Sequence, residues 1–180
     1  MLFRSQSRAS SRGDTARAGP RILGALSREN QLAKALKSVV DEYDFVLVDC
    51  PPSLGLLTIN GLTAADEVLI PIQCEYYALE GVGQLMRNIQ LVQSSLNPQL
   101  DVEGVVLTMF DGRTTLSKQV TAEVREHFGK TAYKTVIPRT VRLSEAPSHG
   151  EPIEAYDRMN RGAIAYRELA AEFRRRHGRT

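Results

Sequence analysis

A chain of 180 residues matches one ordinary domain of about 100–150 residues or a little more, long enough to bury a core without staples. Its 42% hydrophobic and 24% charged content excludes collagen, coiled coil and wholesale disorder. Lys and Arg number 23 against 21 Asp and Glu, a net of +2, but the charge is uneven. Residues 1–21 carry Arg4, Arg8, Arg12, Arg17 and Arg21 against Asp14, a net of +4, which leaves −2 for the rest. No run reaches the roughly 18 apolar residues of a membrane span. Two cysteines do not make a disulfide scaffold, so a cytoplasmic, reducing compartment is expected.

Residues 1–27 are rich in Ser, Arg, Gly and Ala and show no apolar period. They read as a disordered or non-native basic leader without a strand; a transit peptide and a nucleic-acid-binding arm are the alternatives. No apolar segment suits a secretory signal. From Ser27, a plausible N-cap, Leu32, Leu36, Val39 and Val40 share one helical face. Phe45–Val48 is a continuous apolar run of strand length, stopped by Pro51 and Pro52, and reads as a buried parallel strand. A short helix runs to about Ala65, and Glu67–Ile72 is a second buried strand.

The strongest periodicity follows. Val82, Leu85, Met86, Ile89, Val92 and Leu96 stripe a long helix ended by Asn97-Pro98. Val102–Phe110 is a third strand. Val120, Val124 and Phe128 stripe another helix, which Gly129 caps. Ala132–Pro138 is a fourth strand, residues 139–161 are loop-like, and a last helix from about Gly162 turns Tyr166, Leu169, Ala170 and Phe173 inward. It ends in Arg174, Arg175 and Arg176, which suit the negative end of a helix dipole. Buried strands alternating with amphipathic helices make an α/β protein with a parallel sheet flanked by helices.

Ligands in such sheets sit beyond the carboxyl ends of the strands, so chemistry is sought just after each strand. Asp49 stands there. A carboxylate in that place can hold Mg²⁺ through water while the ion bridges phosphates; it can equally cap the next helix. A phosphate loop should accompany it, but the chain has no strand-loop-helix segment of that pattern. Gly129-Lys130-Thr131 has the right last letters, yet follows a helix and lacks the earlier glycine. Gly81-Val82-Gly83 lacks the third glycine of a dinucleotide fingerprint. Cys50 and Cys74 have no metal spacing and read as small buried thiols, while His127 and His149 read as surface or packing residues. Arg113, Lys118, Arg125, Arg139 and Arg142 are either a solvated face or phosphate contacts to nucleic acid.

Three segments are recognisable together: YDFVLVDCPPSLGLLTINGLTAADEVLIPIQCEYYALEGVGQL, LTMFDGRTTLSKQV, and VIPRTVRLSEAPSHGEPIEAYD with RGAIAYREL. They closely resemble the ParA/Soj family of deviant-Walker ATPases that partition chromosomes and plasmids, which is related to the MinD cell-division proteins. The resemblance runs from about Asn30 to Arg175. It implies a P-loop NTPase-like fold with ATP and Mg²⁺ at the sheet edge, and an ATP-driven homodimer that binds DNA non-specifically. It also implies a ParB-type centromere-binding protein that stimulates hydrolysis, and a nucleoid-associated location without a membrane. Residue by residue, Asp49 matches the Walker B aspartate, and Pro51, Pro52, Ser53 and Gly55 match the switch loop that senses the γ-phosphate. Met109, Pro138 and Thr140 match positions that hold the base, with Thr140 replacing the more usual Asn. Arg113 and Arg142 match arginines that contact DNA.

The family's KGGVGKTT loop and the D-x-D-P-Q segment after it are absent from the sequence. Clamping the transferred phosphoryl group is most of the catalysis in this chemistry. The expectation is therefore a sheet incomplete at the amino-terminal side: a leader over 1–27, a partial nucleotide-binding domain over 28–176, a tail over 177–180, and a truncated form inactive by itself. A nucleotide-independent DNA- or partner-binding protein derived from the family is the alternative. A MinD-like ATPase is disfavoured, because the last helix ends FRRRHGRT without the apolar face of a membrane anchor.

Overall fold

The computed structural model describes residues 2–4, 27–51, 53 and 55–178. In chain order the elements are β1 (Leu2–Arg4), α1 (Gln31–Leu36), β2 (Phe45–Leu47), α2 (Leu56–Ala64), β3 (Glu67–Gln73), α3 (Ala78–Ser95), β4 (Asp101–Phe110), α4 (Thr115–Phe128), β5 (Ala132–Pro138), α5 (Val141–Glu145), α6 (Ile153–Tyr156) and α7 (Arg161–Arg176). Short 3₁₀ turns precede α1 and β2 and follow α4 and α5. The architecture is a parallel β-sheet flanked by helices, to which β1 adds an antiparallel member. The chain divides into two compact units, Met1–Leu69 with Gln84–Glu103, and Ile70–Gly83 with Gly104–Thr180.

In the first unit β1 lies between β2 and β3. It pairs antiparallel with both, Leu2 opposite Leu47 and Arg4 opposite Phe45 on one side, Leu2 opposite Glu67 on the other. β2 and β3 therefore run in the same direction with one strand between them. This corrects the expectation that residues 1–27 hold no strand: three residues at the very start form one. β2 is also less buried than expected. Leu47 is 71% exposed and Phe45, Val46 and Val48 are half-buried, because β2 stands at the outer end of the strand order.

Two asparagines tie the helical parts of this unit together. Asn60 is 1% exposed. Its Oδ1 accepts from the Leu32 N–H at 3.1 Å, and its Nδ2 donates to the Arg28 carbonyl at 2.7 Å and the Leu56 carbonyl at 2.9 Å. Asn97 donates to the carbonyls of Leu62 and Ala65 at 3.1 and 2.7 Å, so it closes the carboxyl end of α2. Ser27 does not act as an N-cap: it has φ 52° and accepts no bond from the following turn through its side chain. Ile89 and Val92 on α3 are buried with Leu62 and Leu100, as the stripe predicts, but Leu96 at its end is exposed.

In the second unit β4 lies between β3 and β5, and β4 and β5 are parallel. Val105, Val106 and Leu107 are buried in β4, and Tyr133 and Ile137 in β5. The two strands approach closely at Gly104, where a Cβ would stand 2.7 Å from the Tyr133 ring and 2.8 Å from the Thr131 carbonyl oxygen. Val120 and Val124 of α4 are buried, and Gly129 caps that helix with φ 52°, its N–H on the Arg125 carbonyl. Gly129-Lys130-Thr131 is thus a helix end.

α7 is fastened to β5. The Glu172 carboxylate accepts from the N–H groups of Lys134 at 2.8 Å and Thr135 at 2.9 Å and from the Thr135 hydroxyl at 2.7 Å. Arg176 donates to Glu172, to the carbonyls of Thr131 and Ala132, and lies over the Tyr133 ring at 3.8 Å. The last turn's arginine is therefore part of this fastening. Of the four residues expected inward, Leu169 and Phe173 are half-buried while Tyr166, at 43%, and Ala170 are exposed; Gly162, Ala163 and Ala165 are buried in their stead, small residues that let α7 approach closely. Residues 139–161, expected as loop, hold α5, a 3₁₀ turn and α6; these helices are too short for an apolar period to register.

Candidate functional site

In the first unit Asp49 lies two residues past the end of β2 and is exposed. The segment after it is held by α2. Thr58, buried in the first turns of that helix, donates through Oγ1 to the Ser53 carbonyl at 2.7 Å and the Pro51 carbonyl at 3.3 Å. Pro51, Ser53 and Gly55 are exposed on the resulting loop, and Pro52 lies outside the described residues. Gly55 has φ −92° and a Cβ there would meet nothing within 4 Å. Neither backbone nor packing among the described residues requires a glycine at that point. Burial pushes the half-buried Cys50 thiol up, which disfavours the thiolate form beside Asp49.

In the second unit the structure brings Met109, Pro138 and Thr140 to the carboxyl ends of β4 and β5. Phe110 stands opposite Pro138, and the Arg139 N–H donates to the Phe110 carbonyl at 2.9 Å. The strand register shifts between Leu107 and Phe110. Met109 sits in that irregularity with φ 55°, a left-handed conformation that costs a non-glycine residue of order 1 kcal/mol. Thr140 is heavily used. Its Oγ1 accepts from the Leu143 N–H at 3.2 Å, capping α5, and donates to Asn160 Oδ1 at 3.2 Å, which in turn caps α7 through the Gly162 N–H. Burial raises the Cys74 thiol, whose sulfur lies 3.8 Å from the Thr121 hydroxyl; it is a packed, inert side chain.

The two candidate DNA-contact arginines also belong to the second unit. Arg113 is 89% exposed in the turn after β4. Its Nε donates to Asp111 Oδ1 at 2.9 Å and its Nη2 to Oδ2 at 2.7 Å, a two-pronged ion pair, and its N–H also donates to Oδ1. These bonds hold the Asp111 carboxyl well below the usual carboxylate range. Arg142 on α5 donates from Nη1 to Glu145 at 3.0 Å and to the Tyr156 hydroxyl at 3.4 Å, and its Nε lies 3.6 Å from Asp157. Tyr156 donates to the same Glu145 oxygen at 3.2 Å, and His149 stacks on the Tyr156 ring. Sequence reasoning named both arginines and paired neither with a carboxylate. Asp111 was visible as a post-strand residue, whereas Glu145, Tyr156 and Asp157 carry no motif.

Among the described residues no cluster of three or more His, Cys, Asp or Glu is placed to hold a metal ion. Asp49 offers a single carboxylate, which suits Mg²⁺ only where phosphate oxygens and water complete the shell. The open space at Gly55 fits the close approach of a phosphate, but the sequence provides no lysine-bearing phosphate loop to hold one. The residues present therefore fit part of an ATP–Mg²⁺ site and lack its phosphate clamp.

A family profile described as an AAA domain matches residues 9–102. Sporulation initiation inhibitor protein Soj of Bacillus subtilis is 58% identical over 151 residues, 84% of this chain and 60% of its own length. Chromosome partitioning protein ParA of Myxococcus xanthus is 53% identical over 150 residues, 83% of this chain and 53% of its own. Among solved structures, cobyrinic acid a,c-diamide synthase from Mycobacterium smegmatis with bound ADP and magnesium superposes with a TM-score of 0.68 at 40% identity, covering 87% of this chain and 56% of that one. The cell division ATPase MinD of Pyrococcus furiosus gives 0.66 at 25% identity, with 82% and 58% covered. The chain thus spans little more than half the length of these relatives. With the domain match and relatives at 53% identity or more, the chain belongs to the ParA/Soj family within the wider ParA/MinD group.

Proposed function

We propose that this chain is the portion of a ParA/Soj-type chromosome- or plasmid-partitioning ATPase that carries the Mg²⁺ aspartate, the switch loop, the base-contact strand ends and the DNA-contact arginines. The observation that carries the reading is the loop after β2: an exposed Asp49, then Pro51 to Gly55 held at their carbonyls by Thr58, with unfilled space at Gly55. In this reading Asp49 holds Mg²⁺ through water, and Pro51, Pro52, Ser53 and Gly55 respond to the terminal phosphate. Met109, Pro138 and the backbone at Thr140 flank the base, the Thr140 hydroxyl being occupied by two helix starts. Arg113 and Arg142 engage duplex DNA without reading its sequence. A ParB-type protein and a second copy of the chain are the partners, and the location is cytoplasmic, on the nucleoid.

Bound ATP–Mg²⁺ would supply the phosphoryl group and the ion that neutralises its charge. Without a phosphate-loop lysine this chain holds that group weakly and does not hydrolyse it. The experiment is steady-state phosphate release with ATP and Mg²⁺, alongside Asp49→Ala. No release above the Asp49→Ala background is expected. Release that depends on Asp49 would overturn the inactivity.

A second reading has an observation of its own. β1 fills the position between β2 and β3, so the sheet is closed there by the chain's own first residues. That supports a nucleotide-independent DNA- or partner-binding protein derived from the family. DNA affinity that is unchanged by ATP, and reduced at least tenfold by Arg113→Ala with Arg142→Ala, would favour this reading over the first.

A further inference from the structure

We propose that Asp111, Glu145 and Asp157 set the DNA affinity of this chain by occupying Arg113 and Arg142 in the free protein, so that a DNA phosphate must displace a carboxylate at each arginine. This inference rests on the assignment of the two arginines to DNA. Both arginines meet carboxylates in the free protein, by different geometry. Arg113 is gripped by Asp111 at both carboxylate oxygens, within one turn after β4. Arg142 is gripped by Glu145 one helical turn along α5 and faces Asp157 beyond α6, with the Tyr156 hydroxyl completing the set. At Arg113 the fork of N–H donors that would meet a phosphate already meets one carboxylate at both oxygens, and at Arg142 Nη1 and Nε face two separate carboxylates.

The exposures make the exchange feasible. The Arg113 side chain is 89% exposed while Asp111 is 21% exposed, so the arginine reaches water and its carboxylate lies back against the turn. Arg142 is 53% exposed. A polyanion approaching from solvent meets the guanidinium groups first and competes for donors that an intramolecular carboxylate holds. Exposed ion pairs of this kind shift equilibria by factors of about two to five. Counting the two arginines as free cations therefore overstates the attraction for DNA by about that factor at each site.

Anisotropy of a short fluorescent duplex of mixed sequence, titrated with the full chain at low and physiological salt, tests this. Asp111→Asn keeps the acceptor that the Arg113 N–H uses, and Glu145→Gln with Asp157→Asn keeps side-chain volume. Each is expected to raise affinity about two- to fivefold. Glu168→Gln, an exposed carboxylate on α7, is the control for net charge, compared per charge removed because the double variant removes two, and should give less than half of that gain. The decisive arm is the cycle with arginine removed: in Arg113→Ala the Asp111→Asn gain should vanish, and in Arg142→Ala the Glu145→Gln, Asp157→Asn gain should vanish. Gains that persist without the arginine, or that equal the Glu168→Gln gain, overturn the inference while the DNA assignment stands. If Arg113→Ala and Arg142→Ala leave affinity unchanged, or no variant binds DNA at low salt, the DNA assignment itself fails.

Discussion

Glu172 makes a sharp test of what holds the second unit together. Its carboxylate is 9% exposed and accepts three hydrogen bonds from β5 at 2.7 to 2.9 Å, besides the contact with Arg176. Glu172→Ala leaves the N–H groups of Lys134 and Thr135 without that acceptor. A stranded donor costs about 1–3 kcal/mol, and water reaches the exposed Lys134, so the loss totals about 2–4 kcal/mol. Set against a typical stability of 5–15 kcal/mol, that is a large fraction. With a urea dependence of about 2 kcal/mol/M, the unfolding midpoint should fall by about 1–2 M at unchanged slope. Glu172→Gln retains one acceptor oxygen and should lose about half as much. Burial alone would raise the Glu172 carboxyl, but the bonds from Lys134 and Thr135 and the charge of Arg176 outweigh it, and the group lies below its ordinary 4.5. A depressed native value means that the stabilisation is complete above pH 4.5 and is lost as pH falls through the native value. The wild type should therefore lose more stability on acidification than Glu172→Gln does. A Glu172→Ala midpoint equivalent to less than about 0.5 kcal/mol of loss would refute the fastening of α7 to β5 as described.

Asn60→Ala removes three bonds from a residue that is 1% exposed and should cost about 2–4 kcal/mol, with hydrogen exchange at the Leu32 amide accelerated by a comparable factor. Gly162→Ala places a Cβ 2.6 Å from the Leu143 Cγ. Despite the roughly 1 kcal/mol helix-propensity gain, it should destabilise by about 1–3 kcal/mol in thermal melts. Leu143→Ala in the same background should recover part of that loss, since the clash is with a side chain. Gly104→Ala should be worse than Gly162→Ala, because the nearest atoms include the Thr131 carbonyl oxygen at 2.8 Å, which moves only with the backbone.

Periodicity made most of the sheet and its helices legible. Val82, Ile89 and Val92 on α3, Val120 and Val124 on α4, and the run Val105 to Leu107 in β4 are all buried where the pattern puts them. What escaped depends on partners far away in sequence. Leu2–Arg4 has no period of its own and becomes β1 because Leu47 and Glu67 stand opposite Leu2. The shift of register that puts Met109 at φ 55° arises from pairing β4 with β5, and nothing in the letters of Val102–Phe110 announces it. Helices of four or five residues, such as α5 and α6, fall below the length at which an apolar stripe can be counted.

The candidate site was legible in a different sense. Its residues came from motif and resemblance, and a motif names a side chain without naming what that side chain already touches. Arg113 reads from the sequence as a solvated or phosphate-contacting arginine just after a strand, yet the turn there folds the Asp111 carboxylate under the guanidinium at 2.7 Å. Arg142 and Asp157 are 15 positions apart and meet only because α5 and α6 fold back on each other around Tyr156. Thr140 reads as a base contact, but its hydroxyl is committed to starting two helices. In each case the motif names a residue type, and the availability of its side chain is set by a neighbour that the motif omits. Charge counted along the chain is thus an upper limit on the charge a polyanion can use, and the difference lies in Asp111, Glu145 and Asp157.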